Sequence, residues 1–156
     1  MTTRSYAVRV AESAADRAAC LTVRHEVFVR EQGVPVNLEY DAHDKVAVHV
    51  LAIGDDGAAL GTARLLHGAA AAERTGVDPA VGSLGRVAVT SAARGLGVGA
   101  ALVRGIEETA ASLGLAEVDL HAQTRALAFY ERLGYAAYGG EFLDAGIVHR
   151  AMRRKL

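Results

Sequence analysis

The order of apolar and polar positions divides the chain into short strands and helices in alternation. Tyr6, Val8 and Val10 alternate with Ala7 and Arg9, a period of two that predicts a first strand. Ser13 with Asp16 reads as a helix N-cap region, and a helix follows to about Val29 with Ala14, Ala18, Leu21, His25 and Phe28 on one stripe. Gly33, Pro35 and Asn37 break that pattern, so residues 31–45 read as a loop or short irregular helix. Residues 46–53 read as a strand, Gly54-Asp55-Asp56-Gly57 as a hairpin turn, and residues 60–66 as the returning strand, with Gly61 marking a bulge. A long Ala- and Gly-rich connection, residues 67–83, carries a helical turn at 69–74.

The second half repeats the alternation. Leu84-Gly85-Arg86-Val87-Ala88-Val89 reads as a strand. A glycine-rich loop leads into a helix with Val98, Leu102, Ile106, Ala110 and Leu113 on its apolar stripe, Arg104, Glu107 and Glu108 off it, and Gly114 as the stop. Residues 116–123 form the next strand, parallel to residues 84–89 by the crossover rule. Residues 125–133 read as a short helix ended by Gly134, and residues 135–138 and 147–153 as the last two strands, joined through Gly139-Gly140. The predicted order is βα-ββ-βαβα-ββ.

Composition narrows the class. With 156 residues, 51% hydrophobic and 22% charged, the chain reads as one domain, residues 1–156, with a real core. A net charge of −1 argues against a nucleic-acid surface, and no apolar run approaches a membrane span. The N-terminus, Met1 to Tyr6, shows no hydrophobic signal region, and the single Cys20 reads as a buried small residue with no disulfide. A cytoplasmic protein is expected. The six histidines lack tight ligand spacing, so no metal is expected.

The candidate chemistry centres on Arg94-Gly95-Leu96-Gly97-Val98-Gly99-Ala100. A glycine-rich turn entering a helix leaves backbone N–H groups unpaired at the positive end of the helix, and Arg94 adds a formal charge, so the loop suits a phosphate or pyrophosphate. It is not a Walker A loop, because Gly99 is followed by Ala100-Ala101 instead of Lys-Ser/Thr. Gly95, Gly97 and Ala100 also fit a dinucleotide fingerprint, with Asp119 as the ribose acid. The element order opposes that reading: four elements precede the loop and only one helix follows its own.

The same loop resembles the R/Q-x-x-G-x-G/A signature of the GNAT acyl-CoA N-acyltransferase superfamily. Val89 stands five residues before Arg94, and Gln123, Ala126, Phe129-Tyr130, Gly134 and Tyr135 follow the family's downstream spacing, with Gln where the family has Asn. Residues 24–35, followed by Glu39, Asp41 and Asp44, and residues 141–149 resemble the small bacterial ElaA-like acetyltransferases, with Val148 where that branch usually has Pro. The resemblance implies a GNAT α/β fold: a mixed, mostly antiparallel sheet with splayed central parallel strands flanked by helices. It further implies that the backbone of Val87, Ala88 and Val89 pairs with pantetheine and that the Val89 N–H meets the thioester oxygen. Residues Arg94 to Ala100 would hold the pyrophosphate, and Gln123 and Phe129 would flank the bound acetyl-CoA. Asp119 then becomes a strand residue on a polar face.

Acyl transfer needs a neutral amine, a donor for the oxyanion and a proton for the thiolate. Tyr130 matches the family's general acid, although Ala126, Phe129, Tyr130 and Leu133 also form a packing stripe. The sequence does not single out the base: His121, a candidate catalytic residue with Tyr130, stands beside His49, His149 and Glu31, any of which could instead be structural. The acidic stretch 31–44 is the expected acceptor pocket: Glu31, Glu39 and Asp41, with His49, would draw in an ammonium ion, the alternative being a solvated loop. The expected activity is transfer of acetyl from acetyl-CoA to a primary amine of a small molecule or peptide. A non-catalytic acyl-CoA-binding sensor or scaffold on the same fold is the alternative, and a homodimer is left open.

Overall fold

The computed structural model describes residues 5–76 and 78–156; residues 1–4, part of the stretch read as lacking a signal segment, lie outside it, as does residue 77 of the long connection. Seven strands form one sheet in the order β1-β2-β3-β4-β5-β7-β6. The strands are β1 (Tyr6–Val10), β2 (Val48–Gly54), β3 (Ala59–Leu66), β4 (Val81–Val89), β5 (Glu117–Gln123), β6 (Ala136–Asp144) and β7 (Ile147–Lys155). Among the described residues only the central β4–β5 pair is parallel, and every other pair is antiparallel.

Helices α1 (Ala14–Arg24) and α4 (Val98–Ser112) cover opposite faces, as the alternation of side chains along β2 shows. Val50 and Ala52 join Leu102, Val103 and Ile106 of α4 in the main core, whereas Leu51 packs with Cys20 of α1. The same alternation sends Val118, Leu120 and Ala122 of β5 towards α4 and leaves Asp119, His121 and Gln123 on the α1 side. Beyond α1, the β5–β7–β6 part of that second face carries the polar chemistry.

Several elements depart from the sequence expectation. Ser13 does cap α1, its hydroxyl accepting from the Asp16 N–H, but the buried stripe is Cys20, Val23 and Val27, not Ala14, Ala18, Leu21, His25 and Phe28. The sheet takes the face beside the alanines, and Arg24 is wholly buried within it. From His25 to Glu31 the helix widens to a π-helix, so Gln32 N–H bonds to Val27 O and the phase shifts by one residue. Glu107 is buried as well, accepting from the Tyr135 hydroxyl at 2.8 Å, while Leu113 is exposed. Gly139-Gly140 does not join two strands: β6 runs through it with a register shift between Tyr138 and Phe142, and the β6–β7 hairpin turns at Ala145-Gly146. The bulge expected at Gly61 is present, since Ala52 and Ile53 pair with Gly61 and Ala59.

Candidate acyl-transfer site

β4 holds two different partners along its length. Its antiparallel pairing with β3 runs on to Gly61–Val89, but its parallel pairing with β5 stops at Leu84–Leu120. Residues 85–89 therefore keep one neighbour and lose the other, and the sheet opens between them and residues 121–123. Thr62 and Arg64 of β3 pair with Ala88 and Gly85, so β4 carries one extra residue there; Arg86, at φ 53, sits in that bulge.

Two grooves meet in this opening. One, about 270 Å³, is walled by Phe28, Leu38, Leu84, Leu120 and Tyr130, with His121, His149, Arg74 and Arg86 among its polar residues. The other, about 340 Å³, is lined by Val87, Ala88 and Val89 with Glu31, Arg94 and Arg125. Gln123 spans the opening: its Nε2 donates to Gln32 Oε1 at 3.0 Å, and its Oε1 accepts from Arg125 Nε at 2.8 Å.

The loop after β4 is built for an anion. Gly95 and Gly97 take φ of 83 and 78, conformations that favour glycine, and Gly97 caps α4 without any side chain. The first backbone bond into the helix runs from Ala101 N–H to Gly97 O, so the N–H groups of Val98, Gly99 and Ala100 have no helical acceptor. Gly99 lets Phe129 close over the loop, since a Cβ there would stand 3.2 Å from the ring. Arg94 itself reaches Val89 O at 3.2 Å and Glu31 Oε1 at 2.7 Å.

Tyr130 is 8% exposed and packs edge-on to Phe129 and Tyr135. Among the described residues its hydroxyl has no hydrogen-bond partner, and burial pushes its pKa upward, so it stays protonated across the neutral range. His121 lies edge-on to Phe142, and His149 stacks on the other side of that ring. His149 Nδ1 is 2.7 Å from the Ile147 carbonyl, which can only accept, so Nδ1 carries a proton. Burial lowers the His121 pKa, against the opposing pull of Asp119. Asp119 is not the polar-face residue expected of it: it is fully buried, accepts from Tyr138 Oη and from Arg153 Nε at 2.8 Å, and sets its other oxygen 3.7 Å from His121 Nε2.

The acidic stretch is rearranged relative to expectation. Glu39 is 2% exposed, and Arg24 Nε donates to it at 2.6 Å. Asp44 accepts from Arg24 at 2.7 Å and from Arg64 at 2.9 Å; Asp41 accepts from Arg64 at 2.8 Å. Three carboxylates thus meet three guanidinium groups, Arg86 being the third, and the free acidic rim does not form. Glu39 still borders the first groove, but Asp41 and His49 border neither; His49 Nε2 meets Asp44 O at 2.9 Å. Glu31 faces the second groove, paired with Arg94. His121, Tyr130, Val87 and Gln123 are brought together. Sequence reasoning missed Arg86, Arg74, Gln32 and Phe142; the one available signal was an arginine inside the apolar run 84–89.

Residues 14–156 match the family model described as the acetyltransferase (GNAT) domain. The chain belongs to the GNAT acetyltransferase family. A Bacillus subtilis relative named as the uncharacterized N-acetyltransferase YjcF is 35% identical over 134 residues, 85% of this chain and 87% of that one. The crystal structure of an acyl-CoA N-acyltransferase from Pseudomonas aeruginosa superposes with a TM-score of 0.79 at 34% identity, covering 97% of this chain and 99% of that chain. Escherichia coli ElaA gives 0.77 at 27% identity over 97% and 99% of the two chains. The parallel strands that part at Leu84–Leu120 and the glycine loop after β4 are thus features of a GNAT fold.

Proposed function

We propose that the chain is a single GNAT domain that moves an acetyl group from acetyl-CoA to a primary amine by direct attack on the thioester. The observation that carries this reading is the opening beside residues 85–89, where an unpartnered strand edge runs into an uncapped helix start on one side and a small cavity with Tyr130, His121 and His149 on the other. In this reading the free N–H groups of Val98, Gly99 and Ala100 take the pyrophosphate, and the β4 edge takes the pantetheine amides as an added strand. Acetyl-CoA supplies the activated carbonyl. An imidazole, His121 or His149, accepts a proton from the attacking ammonium, the nitrogen bonds to the carbonyl carbon, and the Val89 N–H faces the oxygen that gains charge. The C–S bond then breaks, the Tyr130 hydroxyl donates to the departing sulfur, and the second proton that the nitrogen sheds in becoming the amide restores the Tyr130 hydroxyl. The name of the Pseudomonas relative, an acyl-CoA N-acyltransferase, supports the same reaction class.

The test is release of CoA thiol from acetyl-CoA in the presence of a broad amine panel, alongside calorimetric titration with acetyl-CoA. Binding with amine-dependent thiol release is expected. Binding without release from any amine would favour the sensor or scaffold alternative, and absence of CoA binding would refute both.

A further inference from the structure

Two guanidinium groups border the groove of His121 and His149, one with no carboxylate partner among the described residues and one that shares its carboxylates with other arginines. Arg74, on the short helix α3 (Ala72–Thr75), makes no hydrogen bond or ion pair with any described residue. Arg86 has only second claims on its neighbours. Its Nη2 donates to Asp41 Oδ2 at 3.4 Å, while the other oxygen of Asp41 accepts from Arg64 at 2.8 Å; Glu39 Oε1 lies 3.6 Å from its Nε but is held by Arg24 at 2.6 Å. Backbone carbonyls also fix its position, as Nε and Nη2 donate to Glu39 O at 3.2 and 3.1 Å. Nη1 has no acceptor and is not sealed from the groove. The strained φ of 53 at Arg86 aims this rigid donor from the bulge beside Val87.

The charge balance agrees with that geometry. Burial, with Arg64 and Arg24 close by, lowers the Arg86 pKa to about 10 against the opposing pull of Asp41 and Glu39, so its charge is held less favourably than in water. Of the carboxylates around the groove, Glu39 is committed to Arg24 and Asp144 is exposed at the mouth. A plain ammonium ion entering this groove would meet two guanidinium charges and gain little. A molecule carrying both an amino group and a carboxylate would satisfy both halves: a guanidinium fork matches a carboxylate in two parallel bonds, and the imidazoles wait for the ammonium proton.

We propose that the acceptor is an amine that also bears a carboxylate, an amino acid or a close analogue, and that Arg86 together with Arg74 receives that carboxylate. This rests on reading the groove of His121 and His149 as the acceptor side of an acyltransferase. Its apolar wall of Phe28, Leu38, Leu84 and Leu120 then faces the amino-acid side chain.

The experiment compares matched triplets: each of the common L-amino acids, its amide and its decarboxylated amine. Thiol release measures turnover, and thermal shift of the CoA-saturated protein measures binding. The carboxylate member of the best triplet is expected to exceed the other two by about 10- to 100-fold in kcat/KM, the scale of a charged bidentate contact. Arg86→Lys and Arg74→Gln should each shrink that ratio, through the KM of the carboxylate member. Arg74→Gln removes no hydrogen bond or ion pair to a described residue, but it relieves the lowering of the His121 pKa, so the acid-to-amide ratio is read instead of the rate alone. Amides or decarboxylated amines used as well as the acids would overturn the proposal, as would a ratio unchanged in both variants. Should no amine be turned over, the acyltransferase reading fails. The acceptor assignment falls with it, and the carboxylate site at Arg86 and Arg74 is then decided by binding alone: it holds if only the acids stabilise the CoA complex and is overturned if they do not.

Discussion

Replacing Arg24 by methionine tests whether the buried charge network holds the acceptor side together. Arg24 is wholly buried, and its guanidinium makes four bonds, to Glu39 Oε1, both oxygens of Asp44 and Glu39 O. Methionine fills much of the volume but leaves Glu39, 2% exposed, with Arg86 at 3.6 Å as its remaining cation. Breaking one side of such a network costs about 3–5 kcal/mol. Unfolding entropy near the midpoint is about 0.33 kcal/mol/K for 156 residues, so the melting temperature should fall by roughly 10 °C. The loss should depend on pH. Burial acts to raise the Asp44 pKa, but the hydrogen bond and charge of Arg24 hold it well below the usual range, and Arg64 does the same for Asp41. A folded pKa below the unfolded one adds stability that is complete above the unfolded value, about 3.9, and is lost as pH falls towards the folded value. The gap between wild type and Arg24→Met should therefore be widest above about pH 5 and narrow below about pH 4. Differential scanning calorimetry from pH 3 to 8 measures it, with Arg24→Met/Glu39→Gln expected to recover more than half of the loss. A gap of 2 °C or less, or one independent of pH, would refute the electrostatic account.

Tyr130→Phe should leave the melting temperature within about 2 °C, because the hydroxyl has no partner among the described residues, yet lower kcat by about 10²-fold; stopped-flow thiol release checks it, and an unchanged rate makes Tyr130 a packing residue. Acetyl-CoA should raise the melting temperature where NADH does not, and Gly97→Glu should abolish that shift by placing a carboxylate at the uncapped helix start. The His121 pKa is lowered by burial, so kcat/KM should rise with pH through a limb below 6.5 and level off above it; that limb should disappear in His121→Gln if His121 is the base.

Strong local signals gave the architecture. Strand alternation, the Ser13 cap, the Gly54–Gly57 turn and the α4 stripe each depend on residues within one element, and those elements formed where expected. What escaped notice needed partners far along the chain. Arg24 sits on a helix face like any solvated arginine until Glu39 and Asp44 fold over it, fifteen and twenty positions later. Asp119 is polar in a strand that alternates correctly, and only Tyr138 and Arg153 make its burial tolerable. The π-widening after His25 shifts the helix phase without any proline or glycine to announce it. For the site, the glycine loop and Tyr130 were legible because their spacing is rigid; the acidic stretch misled because charge in a loop says nothing about which arginines lie beneath.

The two grooves have a kinetic consequence. Neither is lined by a serine, threonine, cysteine or lysine among the described residues, and Cys20, on α1, turns its sulfur to the Val50 carbonyl. An acyl-enzyme on any of those four side chains is therefore not at hand in the grooves. Direct attack needs donor and acceptor present together, and the grooves join at Val87, Gln32 and Arg125. Initial-velocity plots at varied concentrations of both should intersect instead of running parallel, and acetyl-CoA alone should give no burst of free thiol.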